Sequence, residues 1–360
     1  MKKLLILVFG MLLFFSGCED KQKVIDINRT IKIGTILPLT GPVSDFGGWI
    51  RNGIELANEE LKAKSSRLKL DILYEDSKFD AKSGVLAFNK LNNSNKIDIC
   101  FTAMSKVAIP IINSNKNKIP IILQDVTYPD ITKLDKYIFR HFIQSDREAE
   151  IMSMFIREKN ITKLSVIYVN DEAGISAKTK LKENLNNIIV DSIAFSSQEI
   201  NIRAIVIKAV KDNPNGIYVY GNGPSWAKIM KNLKEINYKG KIFTNTAMYI
   251  PIFRKIAGTS IENVYFTYPK INQNNKFKEF KEKYKEKYNE FPQLEAIYAY
   301  DLIMYIYDSL SKYPNIAIPK ALEKNKEFDS LFNRLEIKNN DFLTPISIGQ
   351  IINSKIVELQ

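Results

Sequence analysis

Side chains that make or break covalent bonds are scarce in this 360-residue sequence, which holds one histidine, His141, and two cysteines, Cys18 and Cys100. Zinc and iron–sulfur sites need several thiolates or imidazoles at short spacing, so the common clusters are excluded. A serine or cysteine nucleophile would have to use His141 as its base. That histidine sits in the strand-like run Ile138 to Ile143 and reads as structural. Gly174-Ile175-Ser176-Ala177-Lys178 lacks the closing glycine of a nucleophile elbow. Ser309-Leu310-Ser311-Lys312 fits Ser-x-x-Lys, but no Ser-Asp-Asn or Lys-Thr-Gly partner accompanies it. No Gly-x-x-x-x-Gly-Lys-[Ser/Thr] string is present, so the chain is not its own ATPase. What remains is reversible binding through hydroxyls, carboxylates and backbone N–H groups, with no catalysis, metal or cofactor expected. A hydrolase is the alternative from another class.

Groups that bind must be held by something, and the stretch from Ile31 to Leu61 supplies the frame. Ile31, Ile33, Ile36 and Leu37 read as a buried strand, and Pro38, Gly41 and Pro42 break it. From Trp49 the apolar residues Gly53, Leu56, Ala57 and Leu61 follow helical spacing. A strand feeding a helix through a Gly/Pro loop is half of a βαβ unit, and ligands sit beyond the carboxyl ends of such strands. Further strands are expected at 68–75, 97–102 and 119–123, with helices at 80–91 and 105–115. After the strand 137–142 and the helix 146–158 the alternation restarts, with strands at 164–169, 190–195, 216–220 and 241–244. Helices at 173–185, 199–211 and 225–236 lie between them. Two successive βα arrays imply an α/β chain of two similar Rossmann-like lobes with parallel central sheets. Phe277, Phe280, Tyr284, Tyr288 and Phe291 form one aromatic face of a long helix, with Glu279–Lys283 and Lys278–Glu282 pairs on its surface.

Composition agrees with two domains: 45% of residues are hydrophobic and 11% aromatic, enough for proper cores. The net charge is +12. The lysines are interleaved with glutamates and no basic patch or arginine–aromatic motif appears, so nucleic acid is not an expected partner. Lys2 and Lys3 followed by the apolar run Leu4 to Phe15 read as a signal peptide over 1–17, too short to span a membrane. Ser16-Gly17-Cys18 closes that run. Small residues before a cysteine resemble the lipobox of bacterial lipoproteins, which implies lipidation of Cys18 and a lipidated tether over 18–30; an ordinary signal peptide with an incidental cysteine is the other reading.

The string from Ile33 to Glu60, IGTILPLTGPVSDFGGWIRNGIELANEE, resembles the start of the type I periplasmic binding proteins that serve branched-chain amino acid and amide ABC importers. The run Tyr137 to Phe142, the string Phe277 to Asp301 and the tail 344–359 resemble that family's lobe crossings and final strands. The resemblance implies two lobes joined by a multi-strand hinge, lobe 1 comprising 31–143 and 270–341 and lobe 2 comprising 144–269 and 342–360. It also implies a monomeric, extracytoplasmic, membrane-anchored lipoprotein that hands a small solute to a separate permease and ATPase; ligand sensing without transport is the alternative. In its amino-acid binders, first-lobe hydroxyls and N–H groups hold the carboxylate, an aromatic covers the ligand, and a second-lobe acid holds the ammonium. Carried over, Phe46 takes the aromatic position, Ser105 and Thr127 the hydroxyl positions, and Asp125 a position that contributes backbone. Each also has a local reading: Phe46 as loop packing, Ser105 and Asp125 as caps. In the second lobe Asp171-Glu172-Ala173-Gly174 puts Ala173 where the family's clamping tyrosine stands. Asn245-Thr246-Ala247-Met248 offers Thr246 but no acid, and Asn222, Trp226 and Tyr249 are further candidates. Asp125 is expected to face the cleft and to take over as partner for a cationic or N–H group.

Overall fold

The computed structural model of the chain describes residues 29–64 and 68–359. The expected signal peptide, Cys18 and nearly all of the tether lie outside the described residues. Among the described residues no helix is long and apolar enough to cross a membrane.

The strands are β1 (Thr30–Leu37), β2 (Lys69–Asp76), β3 (Ile99–Ala103), β4 (Ile121–Gln124), β5 (Ile138–Arg140), β6 (Leu164–Val169), β7 (Ile189–Phe195), β8 (Gly216–Tyr220), β9 (Lys241–Thr244), β10 (Tyr265–Pro269), β11 (Glu327–Asp329), β12 (Arg334–Lys338), β13 (Asp341–Phe342), β14 (Ile346–Ile352) and β15 (Lys355–Glu358). They form two sheets, ordered β2-β1-β3-β4-β5-β13-β12-β11 and β7-β6-β8-β9-β10-β14-β15. Both begin with the same doubly wound order, in which the chain reverses direction at the first strand of each array. Such a reversal opens a crevice at the strands' carboxyl ends. Each sheet is parallel through that part and then turns antiparallel, at β12 in the first and β14 in the second. The expected parallel central sheets are present, with antiparallel strands added at one edge of each.

The helices are α1 (Ser44–Ala63), α2 (Ala81–Lys90), α3 (Ser105–Ser114), α4 (Ser145–Glu158), α5 (Glu172–Leu185), α6 (Ile202–Val210), α7 (Gly223–Glu235), α8 (Pro251–Ala257), α9 (Asn275–Tyr288), α10 (Leu294–Lys312) and α11 (Ile318–Lys324). The first begins at Ser44, five residues before the apolar periodicity, so Phe46 lies in its first turn. The aromatic face of α9 holds for Phe277, Phe280 and Tyr284, which are buried. It stops short of Phe291, which is exposed beyond the left-handed cap at Asn289. Lys283 ion-pairs with Glu60 on α1, where sequence spacing suggested Glu279 within the helix, and Lys287 ion-pairs with Glu59.

One core lies around β1, α1, α9 and α10, a second around the strands from β6 to β10, and a third between the first sheet and α2–α3. Three segments cross between the sheets: 141–144, 270–274 and 343–345. They are tied together, since Lys270 N–H donates to Pro345 C=O at 2.8 Å and Thr344 Oγ1 lies 3.3 Å from His141 Nδ1.

Helix α1 packs closely on α10 where Gly53 meets Ala296. A Cβ on Gly53 would sit 2.2 Å from the Ala296 carbonyl oxygen, inside any permitted contact. Gly53→Ala must push two buried helices apart, and overpacking of this kind costs about 1–3 kcal/mol. Urea denaturation is expected to show that loss, and an unchanged midpoint would contradict the packing.

Candidate functional site

The site is built outward from the turn after β4. Arg140, at the end of β5, is buried, and its five N–H donors all find acceptors. Nε and Nη2 grip Asp341 Oδ1 and Oδ2, each at 2.7 Å. Nη1 donates to the carbonyls of Val126, at 3.1 Å, and Tyr128, and Nη2 to that of Pro129 at 2.8 Å. The fork thus holds three carbonyls of the 126–129 segment in place. That segment carries Thr127, whose carbonyl accepts from Ser145 N–H at the start of α4.

Asp125 precedes it with φ +53°, a left-handed conformation that few non-glycine residues adopt. Met104, at the end of β3, has φ +68°. Strained backbone at two adjacent strand ends is the kind of geometry that accumulates at ligand sites. Ser105 follows Met104 as the first residue of α3 and is half-buried.

Both carboxylate oxygens of Asp125 are buried and neither has a hydrogen-bond partner. Its pKa is raised by burial and by the nearby Glu295 carboxylate. Glu295, in the first turn of α10, is itself buried, and burial pushes it up to about 7. Gln124 lies alongside: its amide N–H donates to the Glu295 carbonyl at 2.8 Å, while its Oε1 has no partner. The Tyr298 hydroxyl, one turn along α10, is buried beside the Thr344 side chain.

Sequence reasoning missed the second lobe's principal polar group. Glu148, on α4, is buried, and its Oε1 accepts from Thr246 N–H at 2.8 Å, from the Thr246 hydroxyl, and from Thr267 Oγ1 at 2.7 Å. Its Oε2 faces the Tyr220 hydroxyl at 3.4 Å. Burial raises its pKa and these donors pull it back. No acid follows β9 in the chain, yet α4 delivers one to that place. The signal was an acid on the helix's apolar stripe, with Ala149, Met152 and Ile156.

Thr246 is therefore committed to Glu148. Trp226 is a core residue, its indole N–H donating to Thr244 Oγ1 at 2.8 Å. Asn222 precedes α7 and is exposed, without a capping side-chain bond. Ala173 lies in the first turn of α5, where Asp171 accepts from Gly174 N–H at 2.8 Å. A Cβ on Gly174 would meet the Val169 carbonyl oxygen at 1.9 Å, which explains the glycine.

The two halves touch at these ends. The Thr127 side chain reaches the Tyr220 hydroxyl. The rings of Phe46 and Phe253 are 6.4 Å apart across the divide. Tyr249 packs against both the first and the second core and lies near Glu295. A cavity of about 560 Å³ opens elsewhere, beside Tyr313 and Phe328, away from these strand ends. A smaller one of about 250 Å³ lies beside Asp171 and Phe195. His141 is structural, buried between Asp301 and Thr344 and stacked on Phe342 at 4.6 Å.

Two doubly wound lobes whose strand ends face one another with buried, incompletely satisfied polar groups define a two-lobed solute-binding protein. Residues 30–353 match the periplasmic binding protein family, and the chain belongs to that family. It is 27% identical over 217 residues to the Leu/Ile/Val-binding protein BraC3 of Rhizobium johnstonii, an alignment covering 57% of this chain and 58% of that protein, under two thirds of its length. It is 22% identical over 327 residues to the leucine-, isoleucine-, valine-, threonine- and alanine-binding protein of Pseudomonas aeruginosa, covering 88% and 84%. Among solved structures it superposes on the leucine-binding protein LivK of Thermotoga maritima with a TM-score of 0.82, 22% identity and coverage of 92% and 98%. The isoleucine complex of LivJ from Streptococcus pneumoniae gives 0.82, 21%, 92% and 100%. A 4-hydroxybenzoate complex from Rhodopseudomonas palustris gives 0.82, 16%, 92% and 96%. The type I periplasmic binding protein fold is thus shared by proteins holding quite different solutes.

Arg140→Ala leaves Asp341 as a buried, unpaired charge and three carbonyls without donors. Breaking a buried pair from one side costs about 3–5 kcal/mol. Lysine cannot replace the planar fork, so Arg140→Lys is also expected to destabilise. Chemical denaturation of both variants tests this, and losses below about 1 kcal/mol would show that the 126–129 segment stands without the fork.

Proposed function

We propose that this chain is the extracytoplasmic solute-binding component of an ABC importer, anchored through a lipid on Cys18, and that it captures a small polar solute by closing its lobes. The observation that carries this reading is the buried, unpartnered carboxylate of Asp125, beside Glu295 and on the turn whose Thr127 reaches Tyr220 of the other lobe, with Tyr249 near Glu295. Buried polar atoms are normally satisfied, and a bound solute would satisfy this carboxylate. Closure of two lobes about crossing segments is a common way to sequester a ligand.

On this reading the lobes divide as 31–143 with 270–341 and 144–269 with 342–360. Strand pairing supports moving the last boundary beyond Phe342, which still pairs in the first sheet. Phe46, Ser105, Asp125 and Thr127 form the first-lobe wall. Thr246 acts through Glu148, while Ala173 and Asn222 lie at the strand ends opposite. The names of the relatives support amino-acid transport, and the benzoate-binding neighbours show the fold's wider reach. Delivery to a permease and its ATPase follows from the family.

A thermal-shift screen against amino acids, amides and small carboxylates tests the capture. A solute at a hundredfold excess over its Kd stabilises the fold by about 2.7 kcal/mol. A clear rise in melting temperature is expected for at least one class, and no rise for any would contradict the reading. Anchoring is tested separately by mass spectrometry of the mature N-terminus: a lipid-modified Cys18 is expected, and cleavage elsewhere or an unmodified cysteine would remove the anchor.

A further inference from the structure

We infer that the pole of the first sheet at its strands' amino ends, opposite the solute turn, rests on a bilayer of anionic phospholipid. The inference uses the lipid anchor proposed for Cys18, and adds the surface that docks and the chemistry it docks on. In the order β2-β1-β3-β4-β5 the strands are parallel, so all five amino ends lie together. Each is opened or preceded by a basic residue. Lys69 opens β2, Arg29 stands before β1, Lys96 before β3, Lys116 and Lys118 before β4, and Lys136 before β5. Strands spaced about 4.8 Å apart put these ends in a row about 20 Å long. Helix α1 runs back from the solute side and ends at this pole on Lys64. These residues are scattered through the first 136 positions, so no basic run shows in the sequence; the fold aligns them.

Most of the acid at this pole is already engaged. Asp98 accepts from Arg29 at 2.7 Å and from Lys32 N–H at 2.9 Å. Asp135 accepts from Lys118 and, at 3.2 Å, from Tyr137 N–H. Asp71, two residues along β2, is exposed. Lys64, Lys69, Lys96 and Lys116 are exposed, and among the described residues none of them forms an ion pair. Lys136 is exposed too, its ammonium 5.3 Å from the centre of the Tyr137 ring. The matching pole of the second sheet differs. There Lys163 and Lys241 donate to the carbonyls of Asp212 and Lys159, at 3.4 and 3.0 Å. Asparagines precede β7 and β8, and Glu262 and Asn263 precede β10.

The position of the amino-terminal segment identifies the occupant. Arg29, the first described residue, stands at this pole and is eleven residues on from Cys18, a reach of at most about 40 Å. A lipid on Cys18 therefore brings the lysine row up to the headgroups before the solute turn at the far ends of the strands. A short linker gives its two ends an effective concentration of millimolar order, so a contact of modest strength is populated. Each lysine near an anionic leaflet adds about fivefold to binding, within a Debye length of about 10 Å at 0.1 M salt. The turn at Asp125 and Thr127 then faces away from the bilayer.

The test anchors the mature chain through its lipid in vesicles of phosphatidylglycerol with phosphatidylcholine, and in vesicles of phosphatidylcholine alone. A membrane-impermeant amine reagent then labels the lysines, and mass spectrometry reads each site. In the anionic vesicles Lys69, Lys96, Lys116 and Lys136 are expected to label at least about fivefold more slowly than in the neutral ones. Lys211 and Lys239, exposed on the second lobe, are expected to label equally in both. At about 1 M salt, where the Debye length is about 3 Å, the protection is expected to vanish. A second measurement does not use the anchor: the mature polypeptide without lipid is sedimented with the same vesicles at millimolar lipid. It is expected to follow the anionic vesicles only. Lys69→Glu, Lys116→Glu and Lys136→Glu together are expected to weaken that binding about a hundredfold. Lys211→Glu, Lys231→Glu and Lys239→Glu, the same change of net charge on exposed sites of the second lobe, are expected to leave it unaltered. Equal labelling in both vesicles, sedimentation with neutral vesicles as well, or equal losses from the two triple variants would overturn the docking surface. A Cys18 without lipid, found alongside the expected sedimentation, would remove the anchor and leave the surface standing.

Discussion

The buried fork between Arg140 and Asp341 is the constraint on which the rest of the structure depends. It joins the end of β5 to β13, the strand on which the chain comes back to the first sheet after α9, α10 and α11. It also fixes the carbonyls of Val126, Tyr128 and Pro129, and so the turn that presents Asp125 and Thr127. A buried ion pair is weak evidence for stability by itself, because desolvation offsets most of the attraction. Its effect here is positional. An arginine with all five donors engaged admits one path for the loop around it, and Ser145 N–H then takes the Thr127 carbonyl and starts α4. The first residue of the second lobe's leading helix is thereby registered against the first lobe's turn at Thr127.

From that register follows an asymmetry between the two walls. The second lobe satisfies its acid internally: Glu148 takes donors from the end of β9 and from β10. The first lobe does not: the Asp125 carboxylate has no hydrogen-bond partner and lies near that of Glu295. Burial and the nearby Glu295 carboxylate raise the pKa of Asp125, which favours its neutral form. The isoleucine and 4-hydroxybenzoate complexes among the solved structures share this fold while holding different solutes.

Much of the fold was legible because it is local. The ranges for β6, β8 and β9 agree with their hydrophobic runs to the residue, and Ile31, Ile33, Ile36 and Leu37 are all buried as their pattern implied. The antiparallel edges were not, since β11 to β13 are two to five residues long and carry little periodicity. Asp125 was singled out by its place after a strand, and the structure buries its carboxylate without a hydrogen-bond partner. Glu148 and Glu295 were hidden because each lies within a helix, where an acid normally reads as surface. Both sit on buried faces, and Glu295 opens a helix that is apolar nearly all round. Thr246 was legible as a polar residue after β9, but its partner, 98 positions earlier in the chain, was not.

The central claim is that the turn at Asp125–Thr127 is the floor of the solute site. A crystal structure of the complex with whichever solute stabilises the protein most tests it directly. The account predicts electron density between that turn and Tyr220 and Tyr249, with a hydrogen-bond donor about 2.7–3.2 Å from the Asp125 carboxylate. Density in the cavity beside Tyr313 instead, or an Asp125 carboxylate still without a partner in the complex, would contradict it.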